Sequence, residues 1–121
     1  MSKTFSPKNT SEVLAPVAEY FKVLSETSRL QILSCLRTGP MNVTEMGEAT
    51  GLGQANLSKH LKVLTQAGLI SRQPKGVSVY YAISDPVIFD LCELVCDRIG
   101  EQIQKRAKEF EQIKGLSTLN K

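Results

Sequence analysis

The sequence predicts a mainly α-helical domain that carries one β-hairpin. Through most of the 121 residues, apolar side chains recur at spacings of three and four, the period of one helix face. The period changes after Gly68, where LISRQ and VSVYYAI alternate in the manner of two paired strands. It returns to helical spacing after Asp85 and continues to about Ile113. These three observations define the class, and local signals then define each element.

Two helices are expected after a polar, flexible segment at residues 1–10. Ser11 is suited to cap the first helix. Its apolar residues are Val13, Leu14, Val17, Phe21 and Leu24. Thr27 or Ser28 caps the second helix, which ends at Gly39-Pro40. Both helices therefore precede the most informative part of the chain.

A helix-turn-helix is expected next. Asn42 or Thr44 opens a short helix, which Gly51 stops. Its inward-facing residues are Met46 and Ala49. A tight turn through Gly53 leads to a stronger helix from about Gln54 to Ala67. The inward-facing residues of this helix are Leu57, Leu61 and Leu64.

The hairpin and a long last helix complete the expected domain. Pro74-Lys75-Gly76 joins the two strands, and Asp85-Pro86 supplies an N-cap and a proline at the first helical position. The last helix bears one long apolar stripe, which a small monomer cannot easily cover, so we expect a homodimer. The stripe consists of Ile88, Leu91, Val95, Ile99, Ile103, Ala107 and Phe110. We expect the domain, with its dimerisation helices, to span residues 11–113 and a C-terminal tail to occupy 114–121.

Composition limits the classes of protein that remain. Hydrophobic residues make up 41% of the chain and charged residues 22%, as in a globular domain. No apolar run approaches the roughly 20 residues that cross a bilayer, and the N-terminus lacks the hydrophobic core of a signal peptide. Three cysteines, an odd number, fit a reducing compartment. We therefore expect a cytoplasmic protein with no membrane partner.

The positive charge is concentrated in one segment. No carboxylate occurs between Glu48 and Asp85, although the segment contains four cations: Lys59, Lys62, Arg72 and Lys75. The remainder of the chain has eleven Lys and Arg (fifteen minus these four) against all twelve Asp and Glu. Such clustering favours a polyanion as the partner, and the segment coincides with the second helix of the helix-turn-helix and the hairpin.

The order helix, helix, helix-turn-helix, hairpin, long helix is that of a winged helix-turn-helix. The segments LSETSRLQIL, SKHLKVLTQAGLI and VYYAI also resemble the ArsR/SmtB family of bacterial repressors over about residues 17–100. This resemblance implies a repressor that is a homodimer through its first and last helices. It also implies that an inducer releases the protein from its operator DNA, which we expect to be an imperfect palindrome.

The candidate DNA-contacting residues lie on the recognition helix and the wing. The side chains suited to base edges in the major groove are Gln54, Asn56, Ser58 and Lys59. Arg72 and Lys75 in the wing, and Lys62, are suited to phosphates, although each singly could be an ordinary solvated charge. His60 belongs to the same helix, and a structural or DNA-facing role suits it better than metal binding.

Two metal sites known in the resembled family are missing here. One is a Cys-x-Cys-x-x-Cys pattern for trivalent arsenic, and its matching positions are Asn42, Thr44 and Gly47. The other is a zinc site with two histidines, and its matching positions are Asp85, Val87, Arg98 and Glu101. Two oxygen ligands without nitrogen or sulfur make a poor zinc site, so neither site is retained.

The cysteines are the remaining inducer candidates. Cys92 and Cys96 are four residues apart, so a helix puts them on one face with Cβ atoms about 5–6 Å apart. This spacing suits two thiolates that share one soft ion better than it suits a disulfide, and three thiolates would satisfy As(III) or Sb(III). Cys35 could join them, or oxidants and reactive sulfur could modify the thiols. Alternatively, all three cysteines simply pack in the interior.

Three functional readings follow. The first is a repressor that a thiol-directed inducer releases through a change in packing at Cys92 and Cys96, with no cofactor required. The second is a winged-helix regulator without an inducer, and the third is a winged-helix module that binds protein instead of DNA. An enzyme is not expected, because one histidine in a carboxylate-free stretch offers no acid–base pair.

Overall fold

The computed structural model describes residues 10–119, so the predicted flexible segment lies outside this range except for Thr10. The predicted class is confirmed, because five helices and one hairpin follow in the expected order. The elements are α1 (Thr10–Val23), α2 (Thr27–Leu36), β1 (Met41–Asn42), α3 (Val43–Thr50), α4 (Gln54–Gln66), β2 (Ile70–Lys75), β3 (Ser78–Ile83) and α5 (Val87–Leu119). The described part of the chain forms two compact units, which divide between Asp85 and Pro86.

The core of the first unit is built where α2, α3 and α4 pack together and against the sheet. Seven of its side chains come from apolar helix faces, whereas Leu69 precedes β2 and Ile70 begins it, and each is almost completely removed from solvent. They are Ile32, Leu33, Leu36, Met46, Leu57, Leu61, Leu64, Leu69 and Ile70. Burial of each large aliphatic side chain contributes roughly 1.5–3 kcal/mol to folding, so this cluster positions α4 firmly.

The start of α3 is held by a capping box. The Asn42 side-chain oxygen accepts a hydrogen bond from the Glu45 backbone N–H at 2.8 Å, and the Glu45 carboxylate accepts one from the Asn42 N–H at 3.0 Å. At the other end Gly51 has a φ of 75°, and its N–H donates to the Gly47 carbonyl. These two signals delimit the first helix of the helix-turn-helix.

Two local expectations in this region are wrong. Thr27 is the first residue of α2 and not its cap; the N-cap is Glu26, whose side chain makes no capping hydrogen bond. Ala49 lies on the exposed side of α3, whereas Met46 alone of the predicted pair is buried. A helix of eight residues turns only about twice, so one apolar position suffices to anchor it.

The hairpin gains a third strand. In the antiparallel sheet the order is β1-β3-β2, and Met41 pairs with Tyr81. Pro74 and Lys75 belong to β2 and not to the turn, which is the pair Gly76-Val77. Gly76 has a φ of 60°, the left-handed conformation that a two-residue hairpin turn with glycine at its first position requires.

The second unit contains the long helix α5. It continues through Leu119, beyond the end that we predicted near Ile113 and into the segment expected to be a tail. Ile88 near its start is fully buried, whereas Val95, Ile99 and Ile103 on its apolar stripe are exposed in the single chain. Within residues 10–119 no helix combines the length and the apolar character needed to span a membrane.

Candidate nucleic-acid interface

The recognition helix α4 buries its leucines and exposes most of its polar residues. Leu57, Leu61 and Leu64 face the core, each at most 1% exposed. The polar residues that we predicted to contact DNA lie on the exposed surface of the same helix: Gln54, Asn56, Ser58, Lys59 and Lys62. The N-cap is Gly53, which brings no side chain to the first backbone N–H groups of α4. Helix N-terminal N–H groups of this kind favour an anionic group such as phosphate.

The hairpin carries the other two predicted cations. Arg72 and Lys75 are both exposed on β2. The Lys75 ammonium lies 5.5 Å from the centre of the Tyr80 ring, which is a cation–π distance. Val77 at the tip of the turn is fully exposed. The hairpin thus presents two cations and an apolar tip, as a wing does.

A cavity of about 270 Å³ opens between α4 and the hairpin. Its lining residues are Ser58, Lys62, Thr65, Gln66, Arg72 and Tyr81. Sequence reasoning proposed Ser58, Lys62 and Arg72 but missed the other three. The helix spacing of Thr65 and Gln66 from Lys62 could have indicated two of them, whereas Tyr81 depends on the register of the hairpin.

The structure separates His60 from the other predicted DNA-contacting residues. Its side chain is buried, with the residue only 7% exposed, and its Nδ1 accepts a hydrogen bond from Nε of Arg29 at 3.2 Å. A carboxylate oxygen of Glu26 lies 3.4 Å from the same Nδ1. The Arg29 guanidinium also donates to the backbone carbonyl of Val23 at 3.2 Å. His60 therefore joins α4 to Arg29 of α2 instead of the exposed surface, and Arg29 in turn joins α2 to the end of α1.

Comparison with known proteins gives the same picture. The family model described as "Bacterial regulatory protein, arsR family" matches residues 26–72, which include α2, α3 and α4. The HTH-type transcriptional regulator NmtR of Mycobacterium tuberculosis is 37% identical over 83 residues, which cover 69% of this chain and 69% of NmtR. This chain belongs to the arsR family.

Two further proteins similar to this chain support its assignment to the arsR family. The arsenical resistance operon repressor of Bacillus subtilis is 36% identical over 89 residues, covering 71% of this chain and 85% of that repressor. The solution structure of Mb0332 from Mycobacterium bovis is a homodimeric winged helix-turn-helix DNA-binding domain. Mb0332 matches with a TM-score of 0.68 and 29% identity over 83% of this chain and 95% of its own. These relatives are regulators of transcription and not enzymes.

In this arsR-family protein Cys35 is half-buried on α2. Its thiol donates a hydrogen bond to the Ile32 carbonyl at 3.1 Å, and it helps to line a groove of about 410 Å³ between α2 and α3. Partial burial raises the pKa of the Cys35 thiol, with a smaller opposing contribution from a backbone hydrogen bond. At neutral pH the group is therefore a thiol and not a thiolate.

Cys92 and Cys96 share one face of α5, as their spacing predicted. Cys92 is half-buried and Cys96 is exposed. Partial burial raises the pKa of the Cys92 thiol, and the nearby Cys96 raises it further through like-charge repulsion. In the described part of the single chain, no group of three or more His, Cys, Asp or Glu side chains is arranged to hold a metal ion.

Proposed function

We propose that this protein is a homodimeric repressor that binds an operator in double-stranded DNA. The observation that carries the proposal is the exposed surface formed by α4 and the wing, which has four cations and no carboxylate. Asn56, Lys59 and their exposed neighbours Gln54 and Ser58 read base edges in the major groove. Lys62, Arg72 and Lys75 contact phosphates. His60 is excluded from this set because it is buried against Arg29.

Dimerisation is supported by two exposed apolar faces. On α1, Val13, Val17 and Phe21 are each about half exposed, and α5 carries a longer exposed stripe. Large exposed apolar patches commonly mark protein interfaces. The relative Mb0332 is homodimeric. A symmetric dimer presents two recognition helices about 34 Å apart, which fits an imperfect palindrome with half-sites one helical turn apart.

The DNA-binding proposal is tested by gel shift with the DNA upstream of the protein's own gene at several salt concentrations. We expect the affinity to fall steeply as salt rises, because each neutralised phosphate releases condensed counterions. Lys59→Gln weakens binding, whereas Lys105→Gln on exposed α5 is the matched control and leaves it unchanged. Binding of a protein partner with little salt dependence, and none of DNA at low salt, would instead support the protein-binding module.

We propose further that the inducer is thiol-directed and acts at Cys92 and Cys96, in the cytoplasm. The arsenical resistance operon repressor among the relatives supports a trivalent arsenic or antimony species. Arsenite, as As(OH)3, forms each As–S bond by exchanging one hydroxyl for one cysteine sulfur, and the hydroxyl leaves with the thiol proton as water, so no oxidant is needed. Peroxide and reactive sulfur are the alternative inducers, and they too react with the thiolate form of cysteine.

The inducer proposal is tested with the Cys92→Ser/Cys96→Ser double variant. Arsenite, peroxide and polysulfide are added separately to the complex of each protein with DNA. We expect the natural chain to leave DNA in arsenite and the double variant to remain bound, while Cys35→Ser responds like the natural chain. If the double variant still responds to any of the three, the proposed site is wrong. If the natural chain responds to none, the protein is a regulator without a thiol-directed inducer.

A further inference from the structure

We propose that the cavity between α4 and the wing binds one phosphate of the DNA backbone, held jointly by Lys62 and Arg72. The inference rests on the proposed DNA-binding function and assigns one ligand group to one place. It goes beyond that function because it requires the helix and the wing to hold the same phosphate. In the simpler arrangement, each cation would contact a phosphate of its own.

The helix side of the cavity follows from helical geometry. Ser58, Lys62 and Gln66 are spaced four apart, and Thr65 is three residues after Lys62, so all four lie on one face of α4. The Thr65 hydroxyl donates to the Leu61 carbonyl at 2.7 Å and closes the wall against the helix backbone. Lys62 is therefore the one charged group on this wall, between neighbours that offer a hydroxyl and an amide.

The wing side of the cavity follows from the register of the hairpin. Arg72 on β2 and Tyr81 on β3 are direct cross-strand partners, so their side chains project from the same face of the sheet. Strand β3 is the central strand, because Tyr81 also pairs with Met41 of β1. The guanidinium and the phenol hydroxyl are consequently carried by a hydrogen-bonded sheet and not by a loose loop. Arg72 and Tyr81 line the cavity together with Lys62.

The electrostatics of the cavity favour an anion. None of its six lining residues is acidic, and within residues 10–119 neither Lys62 nor Arg72 forms an ion pair with a carboxylate. Two cations that line one small cavity repel each other, and an anion between them removes that cost. A guanidinium, an ammonium and hydroxyl groups are also the donors that suit the several oxygens of a phosphate.

The position of the cavity favours a phosphate of DNA over a free anion. Ser58 and Lys62 belong both to its lining and to the exposed surface of α4 that also presents Lys59. A DNA backbone that follows the groove beside α4 therefore passes the mouth of the cavity. The volume of about 270 Å³ is large enough to admit a phosphate group.

The experiment combines protein variants with DNA in which single phosphates are replaced by uncharged methylphosphonates. It uses the full chain and the fragment that it binds upstream of its own gene. We expect one phosphate in each half-site whose neutralisation weakens the natural protein roughly tenfold. The same replacement has no further effect on Lys62→Gln/Arg72→Gln, because the contact is already lost. Lys59→Gln, whose residue does not line the cavity, keeps full sensitivity at that phosphate.

Three results would overturn the inference while leaving the DNA-binding function intact. In the first, no phosphate loses its effect in the double variant. In the second, Lys62→Gln and Arg72→Gln each become insensitive at a different phosphate. In the third, inorganic phosphate alone saturates the cavity at micromolar concentration, as measured by the NMR signals of the Arg72 guanidinium. That result would identify a site for a free anion. If the natural protein binds no upstream DNA at low salt, the proposed function itself fails.

Tyr81→Phe provides a test that does not alter charge. It removes only the phenol hydroxyl from a half-buried position, so the sheet keeps its packing. We expect a loss of affinity of severalfold at the same phosphate and an unchanged dependence on salt, since no cation is removed. A thermal melt that matches the natural chain establishes that the variant is folded. An unchanged affinity would remove Tyr81 from the site.

Discussion

Helices α4 and α5 carry apolar stripes of the same period, but the stripe of α4 is buried and most of the stripe of α5 is exposed. On α4, Leu57 and Leu61 are each 1% exposed. On α5, Ile99 is 49% exposed, Ile103 63% and Phe110 60%. Period alone therefore predicts that a helix forms and which face is apolar. It does not predict what covers that face.

The difference arises from what surrounds each helix. Helix α4 packs against α2, α3 and β2 within its own unit. Its apolar stripe is therefore covered by elements that precede it and follow it in the sequence. Helix α5 is the sole element of the unit Pro86–Lys121 in the part of the chain that the structure describes. A single helix cannot enclose its own stripe. Its exposed residues are consequently available to a second copy of the chain.

The largest expected effect is a loss of stability when a side chain in the buried apolar stripe of α4 is shortened. Leu61→Ala opens a cavity in the core, and we expect it to lower the free energy of unfolding by about 2–5 kcal/mol. Urea denaturation measures this loss, which should not depend on protein concentration because the contacts are made within one chain. Ile103→Ala is the matched truncation on the uncovered stripe. Equal and concentration-independent losses in the two variants would remove the distinction between the helices.

A charged substitution tests whether the exposed apolar stripe of α5 forms the dimer interface. Ile103→Glu puts a carboxylate on the face proposed to meet a second copy, and we expect the dimer to dissociate at least tenfold more readily, since burying an isoleucine contributes roughly 1.5–3 kcal/mol. Sedimentation over a range of concentrations measures the change. Gln104→Glu adds the same charge about 100° around the helix and serves as control. If both variants dimerise like the natural chain, the α5 stripe is not the interface.

Much of this organisation could be read from local signals. The capping residue Asn42, the stop at Gly51 and the start of α4 at Gln54 all match their predictions, because each depends on residues within one turn. Strand β1 was missed because two residues are too few to show a period. The cavity wall at Tyr81 was missed because cross-strand register is set by the whole hairpin and not by any one residue.

His60 shows the limit most clearly. It is three residues from Leu57 and four from Leu64, so its position on α4 already favours burial. The sequence left a structural and a DNA-facing role open for His60, and its burial favours the structural one. The partner that makes burial acceptable is Arg29, which is distant in sequence and has no periodic relation to His60. A pattern within one helix cannot predict a hydrogen bond supplied by another.

The smallest expected effect comes from removing the hydrogen bond between Arg29 and His60, which is buried beside the apolar stripe of α4. Arg29→Met keeps the aliphatic stem but removes the groups that donate to His60 and to the Val23 carbonyl. Leaving these acceptors without a donor should lower the free energy of unfolding by about 1–3 kcal/mol.

Arg29→Met/His60→Leu removes both ends of the side-chain hydrogen bond and should recover part of that loss. A cycle that includes His60→Leu, measured by urea denaturation, gives the coupling energy, expected at about 0.5–3 kcal/mol. Strictly additive effects would mean that the apolar face of α4 fixes the helix without help from His60.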